Sequence, residues 1–204
     1  MVKCVNCDNE MRGEQYCLHC MHKSIAERTL TPRILRDLKQ LKFPVEPFLS
    51  DLQSLLSFKN DNKGLFLTGS VGSGKTIYAA HLLMESFTFK SAYKSRLFVT
   101  VPELLQRLRS SYSDKSDMEK QIVENYSMAE LLIMDDLGVE KTTDWVFQIL
   151  YLILNYRYEH LLPTVFTSNL SLEELTVKFG DARIPSRISA MCEVRVFDGE
   201  SLRI

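Results

Sequence analysis

Apolar and polar positions along the chain fall into two alternating rhythms. Short, mainly apolar runs occur at Leu65-Phe66-Leu67, Leu97-Phe98-Val99, Leu131 to Met134, Val165-Phe166-Thr167 and Val194 to Phe197. Between them lie stretches whose apolar residues recur every three or four positions, as in Ile77, Ala80, Met84 and Phe87. Short runs bounded by turn residues suit strands buried on both faces, whereas the longer spacing suits helices with one apolar stripe. Together they predict an α/β fold in which a five-stranded parallel sheet lies between layers of helices.

Ahead of the first run, Thr31 can cap a helix with Pro32 at its first position and Ile34, Leu35, Leu38 and Leu41 along one face. Pro44 and Pro47 break that pattern. A second helix is predicted through Phe48, Leu52, Leu55 and Leu56, and the Asn60-Asp61-Asn62 cluster ends it. These stripes suit core contacts, and the first also suits docking to a partner. The polar stretch from Ser113 to Glu119 reads as a mobile surface loop. The resulting division is a small module over 1–24, a helical linker over 25–62 and a main domain over 63–204.

Composition changes this picture little. The 204 residues are 45% hydrophobic and 25% charged, ordinary values for a globular chain able to bury a core. A formal charge of -1 gives no overall attraction for nucleic acid or anionic membrane, so such binding would need a local patch. Lys90, Lys94 and Arg96 form one such cluster, readable as a DNA phosphate contact or as a solvated face. No basic segment with a following apolar stretch opens the chain, and no apolar run approaches the roughly 20 residues that span a bilayer. A cytoplasmic protein without a membrane partner is expected.

The cysteines add a second chemistry. Four of five lie in the first twenty residues, as Cys4 and Cys7, then nine residues later Cys17 and Cys20. Two C-x-x-C knuckles can offer four thiolates to one tetrahedral zinc, and a segment this small needs the metal to fold. Disulfides or a redox pair are the competing readings, disfavoured by a cytosolic location and by the lack of a surrounding βαβ pattern. His19 and His22 are not needed to complete the shell. Cys192 stands alone and reads as packing.

Directly after the first strand comes Gly69-Ser70-Val71-Gly72-Ser73-Gly74-Lys75-Thr76, which fills every fixed position of G-x-x-x-x-G-K-[ST]. The glycines let backbone N–H groups turn inward around phosphates, Lys75 reaches the β and γ phosphates, and Thr76 supplies a magnesium ligand. A match by accident occurs in on the order of one chain in a hundred. The following helix points its dipole at the same place. Sixty residues after Lys75, the run Leu131 to Met134 ends in Asp135 and Asp136. Asp135 suits support of the magnesium, and Asp136 suits orienting or deprotonating an attacking water. ATP, magnesium and zinc are the implied cofactors.

In their order, GSVGSGKT, LLIMDDLGVEKTTDW, VFTSNLSLEEL and ARIPSRI resemble the AAA+ ATPases of the DnaC/DnaI/IstB group, bacterial and phage replicative-helicase loaders with ATPase partners of certain transposases. The resemblance covers roughly residues 45–204. It implies an ATPase core, oligomer-dependent hydrolysis and self-association through the ATP site; the sequence departs from the wider AAA+ pattern in running no further than its last strand, without a C-terminal lid domain, which together with Asp136 suits slow turnover. Asn169 would sense the γ phosphate, Arg187 would be an arginine finger entering the neighbouring subunit's site, and Arg203 would touch the subunit's own nucleotide. Arg183 would be a nucleotide or interface contact. Alternatives remain: Asn169 as a helix cap, Arg183 and Arg187 as an exposed helix face, Arg203 as a frayed end. Asp136 replaces the usual glutamate. The implied partners are a replicative helicase and single-stranded DNA, or alternatively a transposase. A zinc-containing adaptor that holds nucleotide without hydrolysing it is a third reading.

Overall fold

Two sheets form. The computed structural model describes residues 2–3, 10–11, 30–38, 45–56, 64–87, 95–111 and 116–198. A short antiparallel pair, β1 (Val2–Lys3) and β2 (Glu10–Met11), brackets residues 4–9. The five apolar runs become β3 (Gly64–Gly69), β4 (Arg96–Thr100), β5 (Leu131–Leu137), β6 (Thr164–Ser168) and β7 (Cys192–Phe197). These five lie parallel in the order β4-β5-β6-β3-β7.

The helices are α1 (Pro32–Leu38), α2 (Val45–Leu56), α3 (Lys75–Ser86), α4 (Val101–Ser111), α5 (Ser116–Met128), α6 (Asp144–Glu159), α7 (Leu172–Phe179) and α8 (Arg183–Met191). Side chains alternate across the sheet, so successive strand residues enter different cores. Leu65, Leu67, Leu131, Ile133 and Val165 pack with α1, α2 and α3. Phe66, Leu132, Met134 and Phe166 pack on the opposite face with α4, α6, α7 and α8. Fully buried central strands explain why the runs are apolar without alternation.

The described part of region 25–62 shares this core. Leu30, Ile34, Phe48, Leu52 and Leu55 are buried against β3 and α3, and Leu52 and Leu55 each contribute about 2 kcal/mol through burial. A polar clamp accompanies them. Asp51 of α2 is buried, accepts from the Tyr78 hydroxyl of α3 at 2.7 Å, and accepts from Arg195 of β7 at 2.8 Å.

Three expectations change. Pro47 does not break a helix but sits in the first turn of α2, where a missing N–H costs nothing. The stretch expected to be a loop from Ser113 to Glu119 is helical from Ser116 onward, because Ile122, Val123 and Tyr126 give α5 an apolar face. Arg96 is not a solvated basic residue. It is buried, donates to the Ser86 carbonyl at 3.0 Å and lies 4.3 Å from the Phe87 ring centre. Lys90 and Lys94 lie outside the described residues, as do Leu41, the Asn60 to Asn62 cluster and both histidines near the zinc cysteines. Cys192 is packing, as expected. It is free and buried, and burial pushes its thiol pKa up.

Candidate nucleotide-binding site

Parallel strands bring their C-terminal ends to one edge, and that edge carries the site. The loop from Gly69 to Gly74 leaves β3 and opens α3. Gly69 has φ 132°, and a Cβ there would collide with the Phe197 carbonyl of the adjacent strand. Gly74 caps α3 with φ 94°, in the left-handed region that glycine enters without strain. The loop is therefore bound to glycine by geometry at both ends. Lys75 is buried at the helix start, and its Nζ donates to the Gly69 and Ser70 carbonyls at 2.8 and 2.7 Å.

The second half comes from β5 and β6. Asp135 Oδ1 accepts from Thr76 Oγ1 at 2.9 Å and from Thr167 Oγ1 at 2.5 Å. Burial pushes the Asp135 carboxyl up to about 6; the Thr167 bond opposes the rise, Asp136 adds to it, and Thr76 and Lys75 pull it down. The Thr167 hydroxyl also accepts from the Asp136 backbone N–H at 2.9 Å. Asp136 itself has φ 60°, and the ladder between β5 and β6 shifts register between Met134 and Leu137. Such an irregularity turns a side chain away from its strand's alternation, here at the residue suited to act on water.

Asn169 follows β6 and is exposed. It is not the helix cap: Ser171 caps α7, accepting from Glu174 N at 3.2 Å while Glu174 Oε2 accepts from Ser171 N at 2.7 Å. Ser168 holds the neighbouring backbone, donating to the Leu137 carbonyl at 2.6 Å. Thr68 Oγ1 reaches the Leu170 carbonyl at 2.9 Å. These threonine and serine roles escaped the sequence reading. The one signal for them is a hydroxyl cluster at strand ends that are otherwise apolar.

Arg183 and Arg187 lie on α8: Arg183 donates to the Asp181 carboxylate just before the helix, and Arg187 donates to Asn155 and Tyr151 of α6 and to the Arg183 carbonyl, so neither is bonded to the loop over 69–76 of the same subunit. Arg203 and Cys4, Cys7, Cys17 and Cys20 lie outside the described residues. Among the described residues no three or more His, Cys, Asp and Glu side chains gather as a metal cluster, and no helix is long and apolar enough to cross a membrane.

The arrangement fits a nucleoside triphosphate. A glycine-bound loop at a helix N-terminus offers inward N–H donors and a lysine, and a buried hydroxyl–carboxylate pair offers oxygens to a hard cation. Fold and loop thus define a P-loop nucleotide-binding protein of AAA+ type. The chain belongs to the IstB-like ATP binding protein family, which it matches over residues 26–204. It is 33% identical over 153 residues to the replicative helicase loader DnaI of Bacillus subtilis, covering 69% of this chain and 48% of that protein. It is 25% identical over 129 residues to the replicative helicase loader DnaC of Escherichia coli strain K12, covering 63% and 51%. The chain spans about half the length of these curated relatives. A crystal structure of DnaI matches with TM-score 0.68 at 29% identity, covering 83% of this chain and 95% of that one.

Proposed function

We propose that this protein is an ATP-dependent helicase loader, which binds and slowly hydrolyses ATP in the cytoplasm to control placement of a replicative helicase on single-stranded DNA. The similarity to proteins named replicative helicase loaders, together with a family match over residues 26–204 that contains the whole cradle, carries this reading. Family membership supports ATP as the nucleotide.

In this reading the N–H groups of residues 69–74 and the Lys75 ammonium bind the phosphates, Lys75 exchanging its loop carbonyls for phosphate oxygens. Thr76 and Asp135 hold magnesium, which neutralises charge developing on the phosphates. Asp136 accepts a proton from the attacking water, its backbone turn aiming the carboxylate out of the strand. Asn169, exposed at the end of β6 and free of capping duty, senses the γ phosphate. Arg187 completes the neighbouring subunit's site, and Arg203 touches the subunit's own nucleotide. Self-association through the ATP site follows from these roles.

The first 24 residues act as a zinc module held by Cys4, Cys7, Cys17 and Cys20. The antiparallel pair around residues 4–9 supports a knuckle there. About one zinc per chain is expected by metal analysis after chelator-free purification, and a metal-free protein contradicts the assignment.

The functional test is affinity capture from the native host with and without ATP. The tagged protein should retain a ring helicase in an ATP-dependent manner, and Lys75→Ala should not. Capture of a transposase instead, or helicase capture that ignores ATP and Lys75, overturns the loader reading.

A further inference from the structure

Arg187 is held from three sides without being consumed. Its Nε donates to Asn155 Oδ1 at 2.7 Å, one terminal nitrogen to the Tyr151 hydroxyl at 2.8 Å and the other to the Arg183 carbonyl at 3.2 Å. A guanidinium carries five N–H donors, so among the described residues one on each terminal nitrogen has no partner. That remaining pair is the fork with which arginine takes two oxygens of a phosphate at once.

Arg157 shows the contrast within the same fold. It is fully buried on α6, with Nε on Thr164 Oγ1, one terminal nitrogen on the Tyr126, Ser127 and Ala129 carbonyls, and the other on the Pro163 carbonyl. It serves as an internal rivet. Arg187 is only half-buried and keeps two donors to give.

Its partners are themselves fixed. The Asn155 amide nitrogen donates to Glu159 Oε1 at 2.9 Å, and because a carboxylate only accepts, the amide oxygen must face Arg187. The guanidinium carbon lies 4.6 Å from the Tyr151 ring centre, a stacking that restrains its plane. Tyr151 and Asn155 stand on α6, anchored by buried Leu150, Ile153 and Leu154.

We propose that Asn155 and Tyr151 are positioning residues for ATP hydrolysis, aiming the open fork of Arg187 at the γ phosphate bound by a neighbouring copy of this chain. The inference rests on the reading of Arg187 as a finger acting in trans. It adds that Glu159, Asn155 and Arg187 form one hydrogen-bonded row whose effect appears only in the subunit that donates the finger. Without Asn155 or the Tyr151 hydroxyl, Arg187 retains its charge but samples several rotamers, and the preorganisation that lowers the barrier is lost.

The test uses the full chain. Asn155→Ala and Tyr151→Phe should each lower kcat about tenfold, with ATP affinity and melting temperature unchanged. Arg187→Ala should lower kcat about a thousandfold or more, and adding Asn155→Ala to it should lower it no further. Direction is read by mixing Lys75→Ala, which keeps its finger, with Arg187→Ala, which keeps its phosphate loop; their co-assembly should restore partial activity. Asn155→Ala placed in the Lys75→Ala partner should cut that restored activity about tenfold, and placed in the Arg187→Ala partner it should leave it unchanged. Equal loss in both placements means a structural role and overturns the proposal. No loss in either placement overturns it too, while leaving the finger assignment intact. A co-assembled but inactive Lys75→Ala and Arg187→Ala mixture removes the finger assignment itself.

Discussion

The phosphate cradle and the arginine face of α6 and α8 solve opposite problems. In the cradle Lys75 bonds to residues 69 and 70 of its own loop, and Thr76 of α3, Asp135 of β5 and Thr167 of β6 meet at a buried carboxylate, closing the region on itself. The arginine face joins Arg187 of α8 to Asn155 and Tyr151 of α6 and leaves them partly open to solvent. The closure of the first region suits a small ligand. The other is ordered yet incomplete, which suits a site finished by a second protein surface.

If that contrast is right, damage to each region has a different signature. The largest effect is on turnover: Arg187→Ala should reduce kcat about a thousandfold or more with ATP still bound, as measured by steady-state hydrolysis beside a binding titration. Asp136→Asn should reduce kcat about a hundredfold or more, also with binding intact, since the amide keeps the size of the carboxylate but is a far weaker base. Lys75→Ala should instead lose ATP binding, by about a hundredfold in affinity for a charged hydrogen-bonding group, and circular dichroism should show the fold retained.

A smaller effect concerns the buried carboxyl of the cradle. The Asp135 pKa, raised to about 6 mainly by burial, means that the folded protein binds this proton more tightly than the unfolded chain. Stability from this group is therefore full below about pH 4 and is lost as pH rises through about 6. In urea unfolding without nucleotide or magnesium, the wild type should lose on the order of 2 kcal/mol relative to Asp135→Asn between pH 4 and pH 7. Parallel pH profiles for the two proteins would contradict this. The smallest effect is at Cys192: alkylation at pH 8 followed by peptide mapping should leave its thiol unlabelled until the protein unfolds, because burial raises its pKa.

Legibility in the sequence follows the same division. Gly69 to Thr76 could be read because its chemistry is contiguous, and Asp135 and Asp136 because they terminate an apolar run. The five strands were legible from those runs alone. The positive φ of Asp136 and the shift of register beside it leave no mark on the pattern, since they arise from pairing with β6. Asp51 reads as an ordinary solvent-facing helix residue. Its partners Tyr78 and Arg195 lie 27 and 144 positions away, and only the fold reveals that it is 2% exposed. Asn155 carries no motif at all, and its orientation depends on Glu159 one helical turn later. By contrast, the Ser171 and Glu174 capping box is legible as S-x-x-E and marks Ser171, not Asn169, as the cap of α7.

A site completed in trans has one direct consequence, readable from turnover per subunit against protein concentration at saturating ATP and magnesium. The rate per subunit should climb with concentration and level off once assembly is complete, while Arg187→Ala stays near baseline throughout. A rate per subunit that is constant from the most dilute sample upward, with Arg187→Ala indistinguishable from the wild type, would show that each chain hydrolyses ATP alone.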